Sequence, residues 1–275
     1  MKPLLYLLSI LLSYQLYAQS FQGEATYVTK RNFSINLDGA QLSEQRKKMI
    51  AERMKQFGES THTLIFSPQE SIFKREESLD PQTPGRGGMR FRMMAAGGGA
   101  LHVDLVKQQY TQQQELMGKF FLIQDSLELP QWKMSQESKQ IGQYNCLKAT
   151  YIRTQRSRVF QPGKRSEPGE EPEFQEEEIE VVAWYTPQIP VSTGPNRLTG
   201  LPGLILEVND GSATTLCTQV VLNPKDKKAI EVPKKGKVVD QETFEKIQEE
   251  RIQEMRERYQ NNSGRGRSER IIIRG

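Results

Sequence analysis

Few residues in this sequence have a type and spacing that could do chemistry. The two histidines, His62 and His102, belong to no spaced metal motif such as H-E-x-x-H. The sequence contains neither a G-x-S-x-G nucleophile elbow nor a G-x-x-x-x-G-K-[ST] phosphate loop. It therefore predicts no catalytic residue, no metal site and no cofactor. Paired carboxylates for glycoside hydrolysis stay open, because they leave no sequence signature.

Residues 1–18 have the layout of a secretory signal peptide. Lys2 supplies the positive start, residues 4–12 an apolar stretch, and Ala18 a small residue before the expected cleavage site. The alternative is a membrane anchor, but a spanning helix needs about 20 apolar residues, and residues 13–15 interrupt this one. Since no cysteine lies near the site, we expect an exported protein of the periplasm or cell envelope that is not a lipoprotein. No later segment is predicted to span a membrane.

The cysteine count then suggests a cross-link. Cys146 and Cys217 are the only two cysteines, and both lie in the mature chain. An even number in an oxidising compartment favours a disulfide between them. The alternative is a pair of buried free thiols.

The composition indicates one folded core with polar additions. Hydrophobic residues make up 36% of the chain and charged residues 26%, which is a low apolar share for a single compact domain. The 38 basic and 34 acidic residues are mixed along the chain and leave a net charge of only +4. This mixture argues against a nucleic-acid partner, since such proteins concentrate positive charge on one face.

The elements that would position any site are mostly strands. Alternating apolar residues and turn signals predict strands over 23–35, 62–66, 71–75, 110–116, 119–125, 145–154, 179–185, 204–208 and 213–222. Apolar stripes of helical spacing predict one helix near 42–57 and a C-terminal helix near 241–259. Glycine, proline and glutamate runs predict polar insertions at 80–99 and 155–178. The expected organisation is a β-rich domain over 19–239, followed by the helix and a flexible tail over 240–275.

The segment 183–208 reads AWYTPQIPVSTGPNRLTGLPGLILEV and carries a family resemblance. Residues 200–205, GLPGLI, match the signature that names the GLPGLI family of Bacteroidota. The flanking residues 183–187 agree with that family, and residues 141–149 resemble its "I-x-G-Y-x-C-x-K-A" segment with the glycine one place earlier. The resemblance covers about residues 20–222 without the insertions. It implies an exported β-rich protein and supplies no chemistry, because the family has no established activity. By analogy with periplasmic lipoprotein carriers, we expect a curved antiparallel sheet or half-open barrel.

The prolines and glycines of this segment allow two interpretations. Prolines fix φ and glycines permit close approach of the backbone, so the segment is a stiff connection between two strands. It could be a corner that only closes the core, or it could form the rim of a binding surface. On the second interpretation the candidate binding residues are Trp132, Trp184, Tyr185, Ile189, Arg197, Leu198 and Leu201.

Three classes of function remain open at this point. The first is a binding or carrier protein, whose partner would be an apolar ligand or an outer-membrane or other envelope protein. The second is a structural or assembly component of the cell envelope, and the third is an unrecognised hydrolase. A concave cavity beside the stiff segment would favour the first class, and a filled core would favour the second.

Overall fold

The computed structural model describes residues 21–31, 58–76, 99–158 and 174–265, together with isolated positions between 43 and 49. Twelve strands in this part of the chain form one open sheet. Their order is β12-β6-β5-β4-β3-β2-β1-β11-β10-β9-β8-β7. Every neighbouring pair is antiparallel except β12 and β6, which are parallel. The expectation of a mostly β protein built on a curved or half-open sheet is confirmed.

The strands follow the alternating apolar pattern of the sequence. Their bounds are β1 Gly23–Arg31, β2 Glu59–Phe66, β3 Glu70–Arg75, β4 Leu101–Asp104, β5 Gln109–Leu116, β6 Lys119–Ser126, β7 Lys133–Ile141, β8 Tyr144–Arg158, β9 Phe174–Thr186, β10 Leu204–Asn209, β11 Ala213–Leu222 and β12 Lys237–Val239. One helix, α1, spans Gln241–Arg265. Turn residues set the tight connections: Met117 and Gly118 both have positive φ between β5 and β6.

The sheet curves around its own longest ordered loop. The β9–β10 loop, residues 187–203, connects neighbouring strands, yet the Thr193 hydroxyl donates to the Ser71 hydroxyl of β3 at 3.1 Å. β3 lies four positions from β10 in the strand order, so only a curved sheet brings the two together. Register shifts in β1 and β10 mark bulges, which increase twist and bend.

Two buried clusters form the core, and at β9 they lie on opposite faces of the sheet, because Trp184 packs against one and Tyr185 belongs to the other. The larger one draws residues from strands across almost the whole sheet, including Tyr27, Phe66 and Phe121. The smaller one joins Ala149, Val181, Ala183, Tyr185, Ile205 and Val208 to Leu201 of the β9–β10 loop. The Tyr27 hydroxyl donates to the Ile205 carbonyl at 2.7 Å across the intervening strand β11. The loop is therefore part of the core as well as a connection.

The C-terminal part closes one edge of the sheet. β12 pairs with β6, and α1 follows directly with Phe244 packed edge-on against Phe121 at 5.4 Å between ring centroids. Asp240 caps the helix, since its carboxylate accepts the Thr243 amide at 2.7 Å. α1 continues to Arg265, beyond the predicted end at 259.

Several expectations meet the limits of the described residues. The signal peptide, the helix near 42–57 (apart from isolated positions), the tail after 265 and nearly all of the insertion at 80–99 lie outside them. β8 and β9 extend into the insertion predicted at 155–178 and pair as far as Arg158 and Phe174. Residues 159–173 lie outside the described part. β7 and β12 are strands that the sequence pattern did not predict.

Candidate ligand-binding cleft

The β9–β10 loop is held in place mainly by buried side chains and backbone hydrogen bonds. Ile189 and Leu201 are each only 1% exposed. The Leu204 amide donates to the Ile189 carbonyl and the Ile205 amide donates to the Thr193 carbonyl, both at 3.0 Å. These bonds fold the loop back onto β10. Its conformation is thus fixed by the core before any ligand is considered.

Two glycines of the β9–β10 loop are required by close packing. A Cβ on Gly203 would lie 2.2 Å from the Thr186 carbonyl oxygen, and a Cβ on Gly194 would lie 2.7 Å from the Ile205 Cβ. Gly200 differs, because it has a φ of +92°, which disfavours other residues. The glycines of the segment are therefore explained by its path through the core.

Trp132 anchors the loop from the neighbouring β6–β7 connection, residues 127–132. Its indole Nε1 donates to the Thr199 carbonyl at 2.8 Å, which ties the connection to the loop. Its ring packs edge-on against Tyr151 at 4.7 Å between centroids. Trp132 thus fixes two segments that border the same open space.

Arg197 projects from the anchored loop toward β5. Its guanidinium carbon lies 4.7 Å from the centroid of the Tyr110 ring, a cation–π contact that orients an otherwise exposed side chain. The Tyr110 hydroxyl in turn donates to the Gln241 side-chain oxygen at 3.0 Å. The loop, β5 and the start of α1 are therefore linked at this point.

A cleft of about 1090 Å³, called the cleft below, opens between these elements. Its volume is slightly above the roughly 300–1,000 Å³ that is typical of ligand pockets. It is bordered by the concave face of the sheet, by the β6–β7 connection and by the Pro195–Leu198 part of the loop. Its lining residues are Thr29, Arg31, Leu101, Tyr110, Gln112, residues 125–131, Tyr151, Ile152, Arg153, Thr154, Val181, Pro195, Asn196, Arg197, Leu198, Val208, Asp210, Ser212, Ala213, Thr215, Gln241 and Glu245.

Polar groups on the cleft wall have shifted pKa values with clear causes. Burial raises the pKa of Tyr110 and of Tyr151, so both phenols keep their protons and can donate hydrogen bonds. The backbone N–H groups of Ser126 and Gln241 hold the pKa of Asp125 below its ordinary value. Asp125 therefore stays ionised and is a poor candidate for a general acid near neutral pH.

The structure separates the predicted binding residues into two groups. Arg197 and Leu198 line the cleft, the first exposed and the second half-buried. Ile189, Leu201 and Tyr185 are core residues, and Tyr185 is 3% exposed. The predicted binding residues that border the cleft are therefore Arg197 and Leu198, at the tip of the loop.

The two tryptophans take different positions. Trp132 supports the cleft from behind, through Tyr151 and Thr199. Trp184 precedes Tyr185 on β9 and so faces the opposite side of that strand. Its ring lies under the Lys139 ammonium, 4.3 Å from the centroid, and Lys139 also pairs with Glu207 at 2.7 Å. Trp184 is therefore occupied by contacts away from the cleft.

The predicted disulfide between Cys146 and Cys217 is wrong, because both cysteines are free and buried in the structure. They lie on β8 and β11, which are separated by β9 and β10. Each thiol instead donates to a carbonyl of its own strand, Cys146 to Tyr144 at 3.7 Å and Cys217 to Gln219 at 3.3 Å.

Several cleft residues had no signal in the sequence. In the sequence, Tyr110 and Tyr151 have the pattern of ordinary strand residues. Arg31 and Arg153 have the pattern of ordinary surface charges. They meet only because the curved sheet brings β1, β5 and β8 around one space. Alternation along β8 does place Tyr151 and Arg153 on one face, but it does not show that this face borders a cleft.

Within the described residues, no group of three or more His, Cys, Asp or Glu side chains could hold a metal ion. No helix in the same part of the chain is long and apolar enough to cross a membrane.

Comparisons with known proteins give a match to one family model over part of the chain. A family model described as "Protein of unknown function (Porph_ging)" matches residues 132–207, which include β7 to β9 and the β9–β10 loop. This match is consistent with a protein of a Bacteroidota family. No curated protein matches the sequence.

Two solved structures resemble part of the fold. Their titles are "Structure of PNGF-II in C2 space group" and "Structure of PNGF-II in P21 space group", with sequence identities of 16% and 14% and TM-scores of 0.48 and 0.46. Each comparison covers 82% of this chain and 32% of the other. The chain thus spans about a third of the length of these structures.

Proposed function

We propose that this protein is an exported cell-envelope protein of the GLPGLI family that binds a ligand in the cleft without converting it. The observation that supports this most directly is the position of Arg197 and Leu198. They project into a cleft of about 1090 Å³ from a loop whose other apolar residues are buried. A side chain held at a cavity by a rigid, core-anchored segment loses little entropy on binding.

The chemistry of the cleft supports binding more than catalysis. Of its four carboxylates, Asp125, Asp210 and Glu245 accept hydrogen bonds from protein groups at 2.7 to 3.2 Å. Neither histidine lines it. The fourth carboxylate, Glu128, is exposed to solvent. A hydrolase would need a carboxyl group or a histidine held beside the bound substrate to move a proton.

The lining of the cleft favours a more polar ligand than the apolar one expected from the sequence. Its wall carries tyrosines, arginines and hydroxyl groups beside leucines and prolines. A purely apolar ligand would leave those polar groups without partners at a cost in free energy. The proposed ligand is therefore a small molecule with both polar and apolar parts.

The binding proposal is tested by identifying the small molecules that copurify with the protein. The full chain is purified from the envelope of its own cells, denatured, and the released small molecules are measured by mass spectrometry. We expect a molecule that accompanies the wild type and is reduced in Arg197→Ala and Leu198→Ala, with melting temperatures close to the wild type. Lys235→Ala is the matched control, because Lys235 lies 3.7 Å over the Phe120 ring and outside the cleft.

The outcomes separate the candidate functions. No accompanying molecule, or equal amounts in all variants, would contradict ligand binding in the cleft. A large fall in melting temperature for Leu198→Ala, without loss of a ligand, would favour a loop that only closes the core. Export is tested separately, since intact mass of the envelope-fraction protein should correspond to a chain that begins near Gln19. A mass that retains residues 1–18 would contradict export with cleavage.

A further inference from the structure

We infer that the ligand of the cleft is an amphiphile with an acidic head group, bound by Arg197, Arg153 and Tyr151, and an apolar part against Leu198 and Leu129. This inference rests on the proposed binding function. It adds the chemical class of the ligand and its orientation.

The cleft wall carries hydrogen-bond donors that protein groups satisfy only in part, since Arg197 contacts Tyr110 and Arg153 contacts Gln155 and Asp210. Arg31 and Arg197 form no ion pair with any residue that the structure describes. The Tyr151 hydroxyl likewise has no protein partner among those residues, and the Arg153 Nε is buried without one. Since three of the four carboxylates already accept hydrogen bonds, donors are in excess. A ligand that brings acceptor oxygens would satisfy them.

The distribution of charge places the acidic group at the Tyr151 end of the cleft. Arg153 lies two residues from Tyr151 on the same face of β8, and both line the cleft together with Arg197. The positive charges of these two arginines act on Tyr151 against the negative charge of one carboxylate, Asp210. Tyr110 instead feels one guanidinium group against two carboxylates. The local charge therefore favours an anion beside Tyr151 and disfavours one beside Tyr110.

Arg197 and Arg153 are both held in position by protein contacts. Arg197 is oriented by its contact with the Tyr110 ring at 4.7 Å. Arg153 is oriented from the other side, by Asp210 at 3.6 Å and by the Gln155 side-chain oxygen at 3.2 Å. Both guanidinium groups are thus held at the wall of the cleft before a ligand arrives. Planar guanidinium groups with fixed positions suit the paired oxygens of a carboxylate or phosphate.

Leu129 and Leu198 provide the surface against which the apolar part of the ligand would pack. Leu129 lines the cleft and is 45% exposed, so a bound apolar group would remove its surface from water. Leu198 is half-buried next to Arg197 on the loop. An apolar chain attached to the acidic group would cover both leucines, so one molecule could satisfy the donors and the apolar surface together.

The experiment compares three probes by isothermal titration calorimetry with the mature chain. Octyl phosphate carries both parts, octyl glucoside has the same chain with a neutral head, and inorganic phosphate has the head alone. We expect octyl phosphate to bind at least about tenfold more tightly than either other probe. One lost charge-assisted hydrogen bond corresponds to about a tenfold change. Decanoate in a parallel titration distinguishes a carboxylate from a phosphate preference.

Three variants test the assigned contacts. Arg197→Gln and Tyr151→Phe should each weaken octyl phosphate binding, about tenfold and about threefold respectively, and should leave octyl glucoside unaffected. Tyr151→Phe keeps the ring that packs against Trp132. Leu129→Ser should weaken both octyl probes and leave inorganic phosphate unaffected. Lys235→Gln, which removes an exposed cation–π contact outside the cleft, is the control.

Each outcome supports or overturns the inference. If octyl glucoside binds as tightly as octyl phosphate, or Arg197→Gln changes neither, the acidic head is wrong while binding in the cleft stands. If inorganic phosphate binds as tightly as octyl phosphate, the apolar part is wrong. If no probe binds, the amphiphile is wrong. The proposed function would then still be decided by the molecules released from the native protein.

Discussion

Acidification should destabilise this protein through one histidine, His62. The ring of His62 stacks on Phe73 with centroids 4.8 Å apart and planes 8° apart, and its Nδ1 is buried without a partner. Burial lowers the pKa of His62 from 6.5 to about 4. The positive charge of Arg75, and more weakly that of Arg31, contributes to this shift, while the Ser60 carbonyl and Glu76 oppose it.

The sign follows from which state binds the proton. Between pH 6.5 and about 4 the unfolded chain protonates its histidine and the folded chain does not. Stability is therefore fully present above the unfolded pKa and is lost as the pH falls toward the folded pKa. Each pH unit between the two values is worth about 1.4 kcal/mol. The loss should approach about 3 kcal/mol, and nearer 2 if solvent at the half-buried ring screens the charge.

The assay is urea unfolding of the wild type and of His62→Phe across this pH range. His62→Phe keeps a ring on Phe73 and removes the titrating group. The carboxylates that titrate in the same range are common to both proteins, so the difference in unfolding free energy isolates His62. That difference should move in favour of the variant by about 2 to 3 kcal/mol as the pH falls from neutral to about 4. A difference that does not change with pH would refute the reasoning.

Two further predictions concern the loop and the thiols. Gly203→Ala should lower the unfolding free energy by about 3 kcal/mol, because its Cβ would meet the Thr186 carbonyl oxygen at 2.2 Å. Gly118→Ala, with nothing within 4 Å but a φ of +80°, should cost only about 1 kcal/mol, and equal losses in urea unfolding would contradict the packing argument. Burial raises the pKa of Cys146 to about 11 and that of Cys217 to about 12, so iodoacetamide should label neither thiol in the folded protein. In denaturant without reductant it should label both by intact mass, and a chain that labels only after reduction would restore the disulfide.

The strands were predictable where their pattern is local. β11 was expected and found over 213–222, and the hairpin around Met117 and Gly118 was expected from its turn residues. β7 was missed because most of its side chains are exposed at the edge of the sheet, which leaves no apolar alternation. β12 was missed because it is only three residues long. It forms a strand by pairing in parallel with β6, which lies far away in the sequence.

The candidate site was predictable only in part. The prolines and glycines of the β9–β10 loop indicated a rigid segment, and its buried contacts agree with that. Which of its side chains face a cavity depends on where the curved sheet places β3 and β5, and no local pattern encodes this. Arg197 was chosen as an edge charge, whereas its contact with Tyr110 is a product of the tertiary fold. Arg153 and Tyr151 were missed for the same reason.

The two interpretations of the loop, core corner and binding rim, are compatible once its residues are separated by position. Ile189, Leu201 and Thr193 are buried and bind the loop to the sheet. Those contacts fix the backbone from which Arg197 projects. A residue two to four positions from a rigid anchor has few conformations left, so core burial reduces the entropy that binding would otherwise cost. Changes at the anchors should therefore impair stability and binding together, whereas a change at Arg197 should impair binding alone.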